Sequence, residues 1–122
     1  MNKSLTGTVV NLAGQNAELQ VAADYERRGH TLAARRWRGK AGEVDLIFNS
    51  GCEVVFVEVK KASSFSGAAR WISARQQQRI CLAAEEYLGT LPNGSLTSMR
   101  VDAAFVNGHG EIEVLENAIG SF

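Results

Sequence analysis

The sequence predicts an α/β sandwich around a mixed five-stranded sheet, with helices packed on it. Two stretches carry a helical apolar period, several short runs rich in β-branched residues lie between and after them, and turn residues mark the junctions. The predicted order is helix, three strands, helix, two strands.

Residues 1–12 show no clear period and read as a loose N-terminal arm of one domain spanning 1–122. Across Gly14–Arg28, Ala17, Val21, Ala22 and Tyr25 recur at three- and four-residue steps, and Gly29 follows as a stop. Thr31–Arg38 is a strand, weakened by its Ala33-Ala34 pair, and Gly39–Gly42 is a turn. Glu43–Phe48 is the next strand, closed by Asn49-Ser50-Gly51. Glu53–Lys61 is the third, on the strength of Val54, Val55, Phe56, Val57 and Val59. Ala62–Ala69 is a Ser-rich loop, and Arg70–Leu88 is a long helix stopped by Gly89 and Pro92. Strands at Met99–Val106 and Glu111–Leu115, joined by Asn107-Gly108-His109-Gly110, close the chain.

Composition narrows the function classes. With 45% hydrophobic and 21% charged residues and a single proline, the chain is neither disordered nor collagen-like. It has no membrane-spanning run, and its first twenty residues hold one base, Lys3, and no apolar signal core. Cys52 and Cys81 lack metal or redox spacing and read as reduced thiols of a cytoplasmic protein. The formal net charge of zero conceals an uneven layout. Arg27–Lys40 contains six bases and no acid, whereas Val101–Phe122 contains four acids and no base. Arg35, Arg36, Arg38 and Lys40 are therefore candidate contacts to nucleic-acid phosphate; the alternative is a solvated basic edge.

Side chains alternate along a strand, so Glu58 and Lys60 share a face with Val54 and Phe56, while Val55, Val57 and Val59 fill the other. An acid and an amine ending an otherwise apolar strand must be paired, solvated or bound to a ligand. On the preceding strand Asp45 shares a face with Glu43 and Ile47, opposite Val44, Leu46 and Phe48. Asp45 and Glu58 can then converge at one end of the sheet. Glu18 lies on the apolar stripe of the first helix, and Gln77 lines up with Ile80, Cys81, Ala84 and Leu88 on the second. Both are read as lining the same pocket.

Clustered carboxylates raise each other's pKa, and a divalent cation removes that cost. An all-oxygen set favours Mg²⁺ (or Mn²⁺), held by Asp45, Glu58 and Glu18. Such a site acidifies a bound water and polarises a phosphoryl oxygen, with Lys60 as the catalytic cation and Gln77 as a supporting group. The chemistry is phosphodiester hydrolysis. Plainer readings stand beside it: an edge-strand salt link for Glu58 and Lys60, solvated acids at Asp45 and Glu18, and an exposed Gln77 within Gln76-Gln77-Gln78. His30 and His109 have no partner spacing, and Trp37 and Trp71 read as packing residues.

Gly42-Glu43-Val44-Asp45-Leu46-Ile47 followed by Val55-Phe56-Val57-Glu58-Val59-Lys60 resembles the YraN-type family of bacterial proteins, predicted endonucleases. The resemblance extends to Gly14-Gln15-Asn16-Ala17-Glu18, Ala22–Tyr25, Gln77-Gln78-Arg79-Ile80, Arg100-Val101-Asp102 and Asn117-Ala118-Ile119. It implies a restriction-endonuclease-like three-layer sandwich of the PD-(D/E)xK superfamily, similar to archaeal Holliday-junction resolvases. It also implies that Glu18, Asp45, Glu58 and Lys60 occupy that superfamily's acid, Asp, Glu and Lys positions. Two positions depart from the pattern. Gln76 stands where the family usually has Lys, and Lys61-Ala62-Ser63 stands where an Arg usually follows the strand Lys. Both changes remove positive charge beside the phosphate path.

The leading expectation is a Mg²⁺-dependent nuclease for branched or single-stranded DNA, not membrane-bound, with a homodimer allowed. Other expectations are a catalytically idle nucleic-acid-binding module of the same fold, and an interaction scaffold.

Overall fold

The computed structural model describes residues 16–62 and 72–118. Five strands form one sheet whose spatial order follows the chain: β1 (Thr31–Arg38), β2 (Glu43–Ser50), β3 (Glu53–Lys61), β4 (Ser98–Val106) and β5 (Ile112–Leu115). All neighbours are antiparallel except β3 and β4, which run parallel from Glu53↔Ser98 to Lys61↔Val106. Helix α1 covers residues 16–27. A parallel pair needs a crossover, and helix α2 (Ala74–Leu88) lies within the one between β3 and β4.

The period-two pattern of β3 explains why there are three layers. Val54 and Phe56 pack with Ile80, Ala83, Ala84 and Leu88 of α2. Val55 and Val57 pack with Ala17, Val21, Ala22 and Tyr25 of α1. Every one of these side chains is buried, and a large apolar one contributes about 1.5–3 kcal/mol when fully removed from water. The Tyr25 ring stacks on Phe48 with centroids 4.6 Å apart, pinning α1 to the sheet. Its hydroxyl donates to Oδ2 of Asp102 at 2.7 Å, and Asp102 is fully buried in β4. Oδ1 of Asp102 accepts from Arg100 Nε at 3.0 Å and from the Asn117 N–H at 2.9 Å. This carboxylate therefore ties α1, β4 and the chain beyond β5 together.

Two strands, β1 and β3, have the predicted bounds. The weak Ala33-Ala34 pair of β1 coincides with a shift in pairing between Leu32 and Ala34, a bulge in the edge strand. β2 runs on to Ser50, which pairs with Glu53, so the hairpin closes through Gly51-Cys52 alone, with Gly51 at φ 61°. α2 starts at Ala74 because Ser73, in extended conformation, caps it by accepting from the Gln76 N–H at 3.1 Å. β4 begins one residue early and β5 one residue late. Val44 departs from strict alternation: it joins the α2-side cluster with Ile47, while Leu46 and Phe48 face α1. Backbone pairing of β2 with β3 stops at Leu46↔Val57, which frees the start of β2 from the pleat of its neighbour. The predicted arm, Gly14, Arg70, Trp71, Ile119 and most of the predicted loop lie outside the described residues.

Candidate metal and phosphate site

The site forms where β2 and β3 stop pairing. Asp45 Oδ2 accepts from the Val59 N–H at 2.8 Å, so its side chain takes up a donor that β2 backbone leaves unpaired. The carboxyl of Glu58 lies against the Asp45 carboxyl and the side chain of Gln76, close enough for both to act on its proton affinity. Gln76 Oε1 in turn accepts from Lys60 Nζ at 2.7 Å. The result is one polar cluster of Asp45, Glu58, Gln76 and Lys60, anchored at one end by the Val59 N–H.

Burial, reinforced by the hydrogen bond and negative charge of Asp45, pushes the Glu58 carboxyl up to about 9. Lys60 and Gln76 pull it the other way without overcoming that sum. Two carboxyls pressed together share a proton or a cation. They open onto a cleft of about 470 Å³ whose other walls are Arg38, the 39–42 turn, Gln76 and Arg79. Arg38 lies 3.6 Å from Glu43. The Lys40 and Arg79 side chains have no ion-pair partner among the described residues.

Glu18 is 9% exposed on the sheet-facing stripe of α1, and its Oε1 accepts from Arg36 Nε at 3.1 Å. Arg36 takes a left-handed backbone, φ 49°, between the pairs Arg35↔Leu46 and Trp37↔Val44, which sets it across from Asp45. Its guanidinium is engaged by Glu18, whereas Arg35 is exposed and without an ion-pair partner among the described residues. Among those residues no three acidic, His or Cys side chains are grouped as a metal would need, and Glu18 is engaged by Arg36 rather than gathered with Asp45 and Glu58. Gln77 lies away from the acids, beside Ala74, Cys81 and Leu82, with its Nε2 donating to the Ile72 carbonyl at 2.7 Å. Gln76 takes the place in the site that the sequence reading assigns to Gln77. Either register is compatible with the apolar stripe of α2, and Gln76 sits four residues before the buried Ile80. Trp37 packs edge-on against Tyr87, centroids 5.4 Å apart, as a packing residue does.

Residues 17–106 match the model of the uncharacterised protein family UPF0102. The chain belongs to the UPF0102 family. It is 54% identical to a UPF0102 protein of Ruegeria pomeroyi over 114 residues, covering 93% of each chain. A UPF0102 protein of Cereibacter sphaeroides is 49% identical over 117 residues, 96% of this chain and all of that one. One from Roseobacter denitrificans is 45% identical, covering 93% of this chain and 88% of its own. These family members bear out the resemblance drawn from the strand motifs. Among the described residues of this UPF0102 chain no helix is long and apolar enough to cross a membrane.

Proposed function

We propose that this protein is a nuclease that uses Mg²⁺ (or Mn²⁺) to hydrolyse phosphodiester bonds of DNA with branched or single-stranded character. The observation that supports it most is the contact between the Asp45 and Glu58 carboxyls at the floor of a cleft rimmed by Arg38, Lys40 and Arg79. Two hard oxygen donors that repel each other fit a divalent cation, and the Lys40 and Arg79 cations beside them, without ion-pair partners among the described residues, fit a polyanion. Asp45 and Glu58 would hold the ion, which when bound supplies an acidified water and a polarised phosphoryl oxygen. Lys60, tethered by Gln76, offsets charge that develops on the phosphoryl group. The Val59 N–H keeps the Asp45 carboxylate oriented. Arg35, Arg38, Lys40 and Arg79 contact phosphates on either side of the scissile bond without reading sequence. Glu18 acts in this reading through Arg36, which it holds against the β1–β2 ladder beside Asp45.

The test is cleavage of labelled single-stranded, duplex, flap and four-way-junction DNA by wild type and Glu58→Ala, in Mn²⁺ and then Mg²⁺. Metal-dependent cutting by wild type alone is the expected result. Cutting that survives in Glu58→Ala refutes the assignment. A second reading, an idle nucleic-acid-binding module, is favoured by Gln76 standing where the resembling family usually carries Lys. It predicts salt-sensitive binding with no turnover in either metal.

A further inference from the structure

The turn that forms one wall of the cleft is fastened by a side chain from α2. The Lys40 N–H donates to both carboxylate oxygens of Glu86, at 2.8 and 3.0 Å, and the Ala41 N–H donates to Oε1 at 3.3 Å. Gly39 N–H closes the same turn onto the Gly42 carbonyl at 2.9 Å. A Cβ on Gly39 would collide with the Glu86 carboxylate, so turn and acid are as close as glycine allows. A Cβ on Gly42 would lie 3.7 Å from the Arg79 carbonyl, so the far end of the turn also rests on α2. Successive backbone N–H groups gathered on one anion are a common anion cradle. Here the anion is built into the protein. Among the described residues neither the Glu86 carboxylate nor the Lys40 ammonium makes an ion pair.

We infer that Glu86 is a positioning residue: it locks the 39–42 turn so that Lys40 and Arg38 face a phosphate crossing the Asp45–Glu58 pair. This rests on the nuclease reading above. Simple electrostatics and positioning predict opposite signs. Removing an acid beside a phosphate path should tighten polyanion binding, whereas freeing the turn should weaken it.

The experiment measures binding of labelled single-stranded and four-way-junction DNA across a salt series without metal, for wild type, Glu86→Ala, Lys40→Ala and the double variant. Glu86→Ala is expected to weaken binding roughly three- to fivefold, the size of one exposed ion contact. Its log–log salt slope should fall by about one phosphate contact, and the double variant should bind no more weakly than Lys40→Ala. Amide hydrogen exchange at Lys40 and Ala41 should accelerate in the free Glu86→Ala protein. Glu86→Gln, which keeps an acceptor oxygen without the charge, should recover part of the affinity, and it carries the test where the Ala variant does not fold. Binding that is unchanged or tighter in both Glu86 variants overturns the inference, as does additivity with Lys40→Ala. Failure of wild type to bind any of these DNAs overturns the nuclease reading, and this inference with it.

Discussion

Replacing Glu58 by Gln should stabilise the metal-free protein at neutral and alkaline pH. The Glu58 carboxyl is pushed from its ordinary 4.5 up to about 9, first by burial and then by Asp45. The folded protein therefore keeps a proton that the unfolded chain releases above about pH 4.5. The sign follows: this group costs no stability below pH 4.5, and stability falls as pH rises towards 9. At pH 7 the gap from 4.5 corresponds to about 3 kcal/mol against the folded state. Water entering the open cleft lowers that figure, so a net gain of about 1–3 kcal/mol is expected for Glu58→Gln. The introduced amide keeps a hydrogen bond to Asp45 without titrating. The assay is thermal unfolding in chelator from about pH 5 to pH 9, where each kcal/mol moves Tm by about 3–5 °C for a chain of this size. Wild type should lose Tm as pH rises while the variant stays flatter and higher. Saturating Mg²⁺ should raise the wild-type Tm at about pH 8 and leave the variant nearly unmoved. Parallel Tm curves, or a variant less stable than wild type in that alkaline range, would refute the reasoning.

Three further outcomes follow from the same geometry. Lys60→Ala should lower single-turnover cleavage by about 10²-fold or more while DNA binding, read by anisotropy, stays within a few-fold. Gln76→Lys places a second cation beside Glu58; it should tighten single-strand binding and steepen the salt slope by about 0.7, measured by titration at several salt concentrations. Asp102→Ala strands the Tyr25 hydroxyl, Arg100 and the Asn117 N–H together, and urea unfolding should show a loss of about 3–5 kcal/mol.

How much of this is legible in the chain depends on which physical signal each element carries. β3 is readable end to end, because its short run of Val and Phe bounded by turn residues favours a strand, and the alternation of side chains along any strand places Glu58 and Lys60 on one face. Asp45 is readable one strand earlier for the same reason. Val44 is not, since its side depends on where β2 leaves the β3 ladder, and pairing ends are tertiary facts. The predicted start of α2 at Arg70 falls too early, because the hydroxyl of Ser73 caps the helix and sets its beginning at Ala74. Glu18 falls correctly on the buried stripe of α1, but its partner, Arg36, comes from a left-handed residue that no pattern announces. Gln76 and Gln77 are adjacent and chemically identical, so only the packed azimuth of α2 separates them. Arg100-Val101-Asp102 enters as part of a resemblance and turns out to be the buried polar hub of the fold. Glu86 leaves no signal at all, because its partners are backbone amides of a distant turn.

The parallel ladder has a consequence for how the chain assembles. Every pair along it joins residues 45 apart, from Glu53↔Ser98 to Lys61↔Val106, whereas β2 and β3 meet through a two-residue turn. Closing the long loop costs chain entropy before any of its contacts repays it, and the hairpin has no such delay. The β1–β2–β3 meander is then the early unit, with α2 and β4 docking afterwards. Asp45 and Glu58 meet in that early unit, before Gln76 can arrive on α2. Their mutual repulsion is therefore borne by the folding transition state, and refolding should be slower at high pH than the equilibrium stability alone would require.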